Sequence, residues 1–171
     1  MGVTINFEGK LISETSFETV MKIAKEFAEK NQMPFSFFEE TEKLLQRVKD
    51  EEDWDYIGKT KGIRIQPDIN SDPLLLEFDK DNYIQEYCKT QFVDIEIHIK
   101  LINFLRQIEP CFHELLVSDE GEYWETNDAE LLQEHFDNCF KGIEQAKKEN
   151  KHLSGPYKVE DGRIIDLMSS E

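Results

Sequence analysis

The two tryptophans of the chain, Trp54 and Trp124, both stand in short runs of acidic and aromatic residues. The first run is Asp50-Glu51-Glu52-Asp53-Trp54-Asp55-Tyr56, and the second is Asp119-Glu120-Gly121-Glu122-Tyr123-Trp124-Glu125. A large ring with a polar edge can fill a pocket on a partner and hydrogen-bond there, which is why Trp and Tyr dominate binding hot spots. Carboxylates beside such a ring favour a cationic guest, by charge and by attraction to the ring face. Trp54, Asp55, Tyr56, Glu122, Tyr123 and Trp124 are therefore the candidate binding residues. The competing arrangement packs each ring inward and leaves the acids to solvate a loop. Paired carboxylates can also act as general acid and base, but no second group in the sequence is spaced to orient these.

Four other constellations carry less. Asp68-x-Asn70-x-Asp72 opens like a calcium loop, yet Pro73 stands where that loop needs Gly, and Asp79 where it needs a bidentate Glu. Asp and Asn at such spacing more simply cap a turn. His135 and Cys139 share a helical face, but Cys139 falls on an apolar stripe with Phe136 and Phe140 beside it. Cys88 and His98 could pair as nucleophile and base only if the fold brings them together; the position of His98 reads as a core histidine. Gly58-Lys59-Thr60 lacks the upstream glycine of a phosphate loop and precedes a strand pattern, not a helix. No catalytic residue, metal ligand or cofactor is assigned.

Lys plus Arg number 20 and Asp plus Glu 37 in 171 residues, a net charge of −17. Such a charge repels phosphate backbones and anionic headgroups, so neither nucleic acid nor membrane is expected as a partner. Cationic partners fit: a basic protein first, then a polyamine or a metal ion. Cys88, Cys111 and Cys139 are odd in number and widely spaced, which argues for free thiols in a reducing compartment. The opening MGVTINFEGK does not read as a signal peptide, and a cytoplasmic location is expected.

The positioning elements follow from periodicity. Residues 3–7 alternate as a strand. Thr15-x-x-Glu18 reads as a capping box opening a helix over about 15–31. Residues 35–40 and 43–48 read as two short strands, and 49–60 as an acidic loop. Residues 62–66 and 73–78 form a hairpin pattern, and 83–88 and 114–117 are further strands. Helices are expected over about 94–108, ended by Pro110, and about 128–149, opened by a second capping box, Asn127-x-x-Glu130. Around Asp161-Gly162 the tail carries a hairpin signal.

Strands joined by short polar turns imply an antiparallel sheet. The expected class is α+β, with an antiparallel sheet of about five to six strands and two or three helices packed mainly on one face. Residues 1–150 form a single domain, and 151–171 a tail that is a docked hairpin or a partner arm, the latter a route to a homo-oligomer. The function expected is a non-enzymatic module that receives a basic protein on its acidic aromatic loops, as an immunity or inhibitor protein would. The alternatives are an enzyme, small-molecule or metal-dependent, using the same carboxylates, and a structural or oligomeric role.

Overall fold

Alternation decides the sheet. In a computed structural model of the protein, which describes residues 2–170, β1 (Thr4–Leu11) buries Ile5, Phe7 and Leu11 and turns Asn6, Glu8 and Lys10 the other way. The chain continues through α1 (Glu14–Lys30), β2 (Phe35–Leu45), β3 (Val48–Lys49), β4 (Glu52–Asp53), β5 (Tyr56–Ile65), β6 (Leu74–Phe78) and β7 (Tyr83–Lys89). Then come α2 (Ile95–Ile108), a 3-10 turn (Glu109–Cys111), β8 (Phe112–Asp119), α3 (Tyr123–Thr126), α4 (Ala129–Glu149), β9 (Leu153–Ser154), β10 (Tyr157–Lys158), β11 (Ile164–Ile165) and β12 (Met168–Ser169).

The class is α+β, with strands in antiparallel sheets, as the sequence implies. Two three-stranded ladders, β2-β5-β6 and β7-β1-β8, carry the fold. They meet where β6 turns into β7. Backbone bonds there run only at the two ends of the pair, Asp79 N to Tyr83 O and Asp72 N to Lys89 O, both 3.0 Å. Six strands thus share one surface with a seam between β6 and β7. Val20, Ala24 and Ala28 of α1 and Leu101, Phe104 and Leu105 of α2 pack with Ile5, Phe7, Ile63, Leu76 and Ile84 into the main core. Leu132, Phe136, Cys139 and Ile143 of α4 join Val3 in a smaller cluster that Ile95 and Ile99 of α2 flank.

Several local expectations shift. Both helix caps move by one or two residues: the Ser13 hydroxyl accepts from Ser16 N at 3.2 Å, and Asp128 accepts from Glu130 N and Leu131 N at 3.0 and 3.1 Å. Thr15 and Asn127 are not the caps, because Ser13 and Asp128 hold the extended backbone that a cap requires. Residues 35–45 form one strand with a bulge between Glu40 and Lys43, where two short strands were expected. The acidic stretch 49–60 is not a loop throughout: β3 and β4 pair through Asp50 and Glu51, both at positive φ (51° and 65°), the pattern of a two-residue hairpin turn. Its last residues already belong to β5.

The tail is a hairpin in one register. Leu153 faces Ser169, Ser154 faces Met168, Tyr157 faces Ile165 and Lys158 faces Ile164. Gly162 supplies the positive φ of 87° at its turn. The hairpin lies on its own chain. Asp72 Oδ1 accepts from Ile164 N at 2.8 Å, Lys89 Nζ reaches Asp166 at 2.9 Å, and Arg163 enters the β6–β7 seam.

Candidate functional site

The first acidic aromatic segment is built around a cation that the chain itself supplies. Arg47, 3% exposed, donates from Nη1 to Asp79 Oδ2 at 2.8 Å and from Nη2 to the Tyr83 carbonyl at 3.2 Å. Its guanidinium carbon lies 5.8, 5.5 and 5.0 Å from the ring centroids of Trp54, Tyr56 and Tyr83. Arg47 N donates to Asp55 Oδ1 at 3.2 Å, and Trp54 N to the Arg47 carbonyl at 2.7 Å. Trp54 meets Tyr83 edge-on at 5.2 Å and stays 40% exposed. So Asp55 and Tyr56 hold Arg47, and Trp54 keeps one side open to solvent.

The second segment is organised in the same way. Asp119 accepts from Gly121 N (2.8 Å), Tyr123 N (2.9 Å) and Trp124 N (3.0 Å), which fixes the turn into α3. Arg106 donates to the carbonyls of Tyr123 and Trp124, and its guanidinium carbon sits 5.6 Å from each ring. Tyr123 and Trp124 are partly buried against the main core. Glu122 Oε2 lies 2.6 Å from His135 Nε2. The two segments do not meet. Tyr83, against which Trp54 packs, pairs with Lys10, whereas Asp119 pairs with Ile5. These positions are five residues apart along β1, roughly 17 Å at the rise of a strand.

Behind the second segment runs a chain of hydroxyl, imidazole and carboxylate. Thr90 Oγ1 is 2.7 Å from His98 Nδ1, and His98 Nε2 is 3.0 Å from Asp119 Oδ1. Burial pushes the Asp119 carboxyl up, but His98 and the N–H groups of Trp124 and Gly121 outweigh it and hold it below the usual range. The order of groups is that of an acyl-transfer triad. Thr90 and His98 are 0% exposed, however, and the Thr90 hydroxyl also reaches the Val3 carbonyl. No substrate carbonyl can approach that hydroxyl, so the chain acts as a strut in the core. Cys88 is not its nucleophile; its thiol contacts the Asp72 carbonyl at 3.5 Å and burial raises its pKa.

A concavity lies on the sheet face turned away from the helices. Asn6 and Glu8 of β1, Gln85 and Tyr87 of β7, and Leu116 and Ser118 of β8 are among the residues that line it. Lys43, Leu44 and Val48 bound it on one side, and Asp161 and Arg163 of the tail hairpin on another. Its volume is about 900 Å³, within the range of ligand sites. Four carboxyls line it, those of Glu8, Glu77, Glu86 and Asp161. Glu77, 3% exposed, accepts from the Thr60 hydroxyl at 2.7 Å. Glu86 accepts from Arg163 Nη2 at 3.0 Å, while Arg163 Nη1 donates to the Tyr87 carbonyl at 2.9 Å and lies 3.5 Å from Asp72. Burial raises Glu86 to about 7 against the pull of Arg163, and the Glu77 charge adds to the rise.

Asp68 and Asn70 form a plain Asx turn, with Asn70 N donating to Asp68 Oδ1 at 2.9 Å. Among the described residues no three His, Cys, Asp or Glu side chains converge as a metal site. Nor is any helix there long and apolar enough to cross a membrane. Arg47, Glu77, Glu86 and Arg163 are the site residues that sequence reasoning missed. Glu77 alone carried a local signal, a charge within the apolar run Leu74–Phe78. Compared with known protein families, with curated proteins and with solved structures, the chain matches none, so the chemistry of its site rests on the geometry above.

Proposed function

We propose that the chain is a non-enzymatic, cytoplasmic binding module that receives a basic protein on the arm running from the end of β2 to the start of β5. One observation carries this reading. Leu44, Val48, Trp54 and Ile57 are 50, 54, 40 and 74% exposed on that arm, and Asp50, Glu51, Glu52, Asp53 and Asp55 stand exposed among them. Apolar contact ringed by charge is the anatomy of a protein interface. The net charge of −17 steers a cationic partner toward it. The arm is also held in place before any partner arrives. Arg47 ties it to Asp79, and Val48 exchanges two hydrogen bonds with the Gln85 side chain, at 3.0 and 2.8 Å. Preorganisation of this kind lowers the entropy cost of binding.

In this reading Trp54 is the anchor, Asp55 and Tyr56 keep the arm in shape through Arg47, and Glu122, Tyr123 and Trp124 form a separate acidic surface at the far end of β1. An immunity or inhibitor protein that covers the cationic site of a toxin or nuclease is one form of such a module. The test is capture from a native lysate, followed by titration of the purified captured protein against the wild-type chain, Ile57→Asp and Trp124→Phe. A basic partner whose affinity falls at least tenfold with Ile57→Asp, and holds with Trp124→Phe, supports the reading. Equal affinity of wild type and Ile57→Asp removes the arm as the interface.

A further inference from the structure

We propose that the cavity on the helix-free face of the sheet takes an alkylammonium group beside Glu77. Glu77 is almost wholly buried yet forms no ion pair among the described residues; its one hydrogen bond comes from the Thr60 hydroxyl. A buried carboxylate without a counter-ion is costly, and a cation entering from the cavity removes that cost. Two of the three cations that line the cavity are committed elsewhere, and the third, Lys43, is exposed at its rim and forms no ion pair with Glu77. Arg163 is held by Glu86 and Asp72, and Arg64 donates to the Asp161 carbonyl at 2.7 Å. Glu86 stands in the same wall, already engaged by Arg163.

The geometry also selects among cations. Thr60 already occupies Glu77 Oε2, so the paired oxygens that a guanidinium fork prefers are not both free, whereas an ammonium needs a single acceptor. Among the described residues no third ligand converges for a metal ion. Leu44, Leu75 and Leu116 line the same cavity and give an aliphatic stem an apolar wall. The shared chemistry, a primary ammonium on an aliphatic stem, belongs to a free polyamine and to a lysine side chain of a partner.

The test is calorimetric titration of the full chain at about 0.15 M salt, where surface charges are screened within about 8 Å, with spermidine in one arm and a tetralysine peptide in the other. Glu77→Gln, isosteric with the native residue, is expected to weaken binding at least tenfold. Glu134→Gln, which removes the same charge from an exposed position on α4, leaves it unchanged. Leu116→Trp, which puts an indole ring in place of an isobutyl group on the cavity wall, abolishes it without touching the carboxylate. Spermidine alone responding identifies a free amine, and tetralysine alone a partner's side chain. Equal losses in Glu77→Gln and Glu134→Gln would mean diffuse attraction to an acidic surface. That result overturns the proposal, as does the absence of binding in both arms. The arm from β2 to β5 enters none of these variants, so the two readings fail separately.

Discussion

At the level of single side chains, the molecule uses buried charge in two opposite ways. Arg47 and Asp79 face each other at 2.8 Å, both nearly buried, and three rings close over the guanidinium. Removing one partner of such a pair costs about 3–5 kcal/mol, because the other is left buried and unpaired. Glu86 is different. Burial, reinforced by Glu77, outweighs Arg163 and lifts its carboxyl from the usual 4.5 to about 7. The folded chain therefore holds the Glu86 proton more tightly than the unfolded chain. The stability this contributes is complete below about pH 4.5 and is lost as pH rises to about 7. A shift of that size is worth about 3 kcal/mol. Glu86→Gln fixes the neutral form, so its melting temperature is expected to match that of wild type near pH 4 and to exceed it increasingly up to pH 8. Melting curves across that range check this; a difference that stays constant with pH would show that Glu86 does not titrate between the two states. The sequence displayed the acids and rings of the first aromatic segment but not its cation. Arg47 lies outside the run, and its partners Asp79 and Tyr83 reach it only through the fold.

At the level of elements, periodicity made the three long helices and the sheet class legible, because each buries one continuous apolar stripe. Short pieces were less so. The β3–β4 hairpin was hidden inside an acidic run since its turn uses Asp50 and Glu51 at positive φ, without the glycine that usually marks such a turn. The Asp161-Gly162 turn did carry that mark. What could not be read was where the hairpin docks, because its anchor, Asp72, lies 92 positions from Ile164. Asp72 accepts from Ile164 N and Lys89 N and faces Arg163, so one carboxylate joins the tail, β7 and the seam. Asp72→Ala leaves those donors without their acceptor. Hydrogen bonds to a charged group contribute about 1.5–3 kcal/mol each. Amide exchange is therefore expected to accelerate across residues 157–165 while α1 and α2 keep their protection. Loss of protection spread evenly over the chain would instead make the hairpin part of one cooperative unit with the core.

For the whole molecule, the charge of −17 acts against folding and, in the proposed function, toward a basic partner at once. Like charges on a compact chain repel, and unfolding separates them. The two acidic segments are anchored beside opposite ends of β1, at positions roughly 17 Å apart along that strand. That distance lies inside the screening length of about 30 Å at 0.01 M salt and outside the length of about 8 Å at 0.15 M. Added salt should therefore relieve the repulsion between them. The internal pairs Arg47–Asp79, buried, and Arg163–Glu86, partly buried, are screened much less. Stability is expected to rise between about 0.01 and 0.5 M sodium chloride, by a few degrees in melting temperature if about 1 kcal/mol of repulsion is screened. Over the same range the affinity of the proposed interface for a basic protein is expected to fall, because the attraction that would steer the partner is carried by exposed acids. The two salt slopes thus have opposite signs and come from one charge distribution. A melting temperature that fell with salt would place the dominant electrostatics in attractive surface pairs such as Lys61–Glu14 and Lys25–Glu29. The acidic excess would then be locally compensated on the folded surface, and the arm would have to recruit its partner through Leu44, Val48, Trp54 and Ile57 alone.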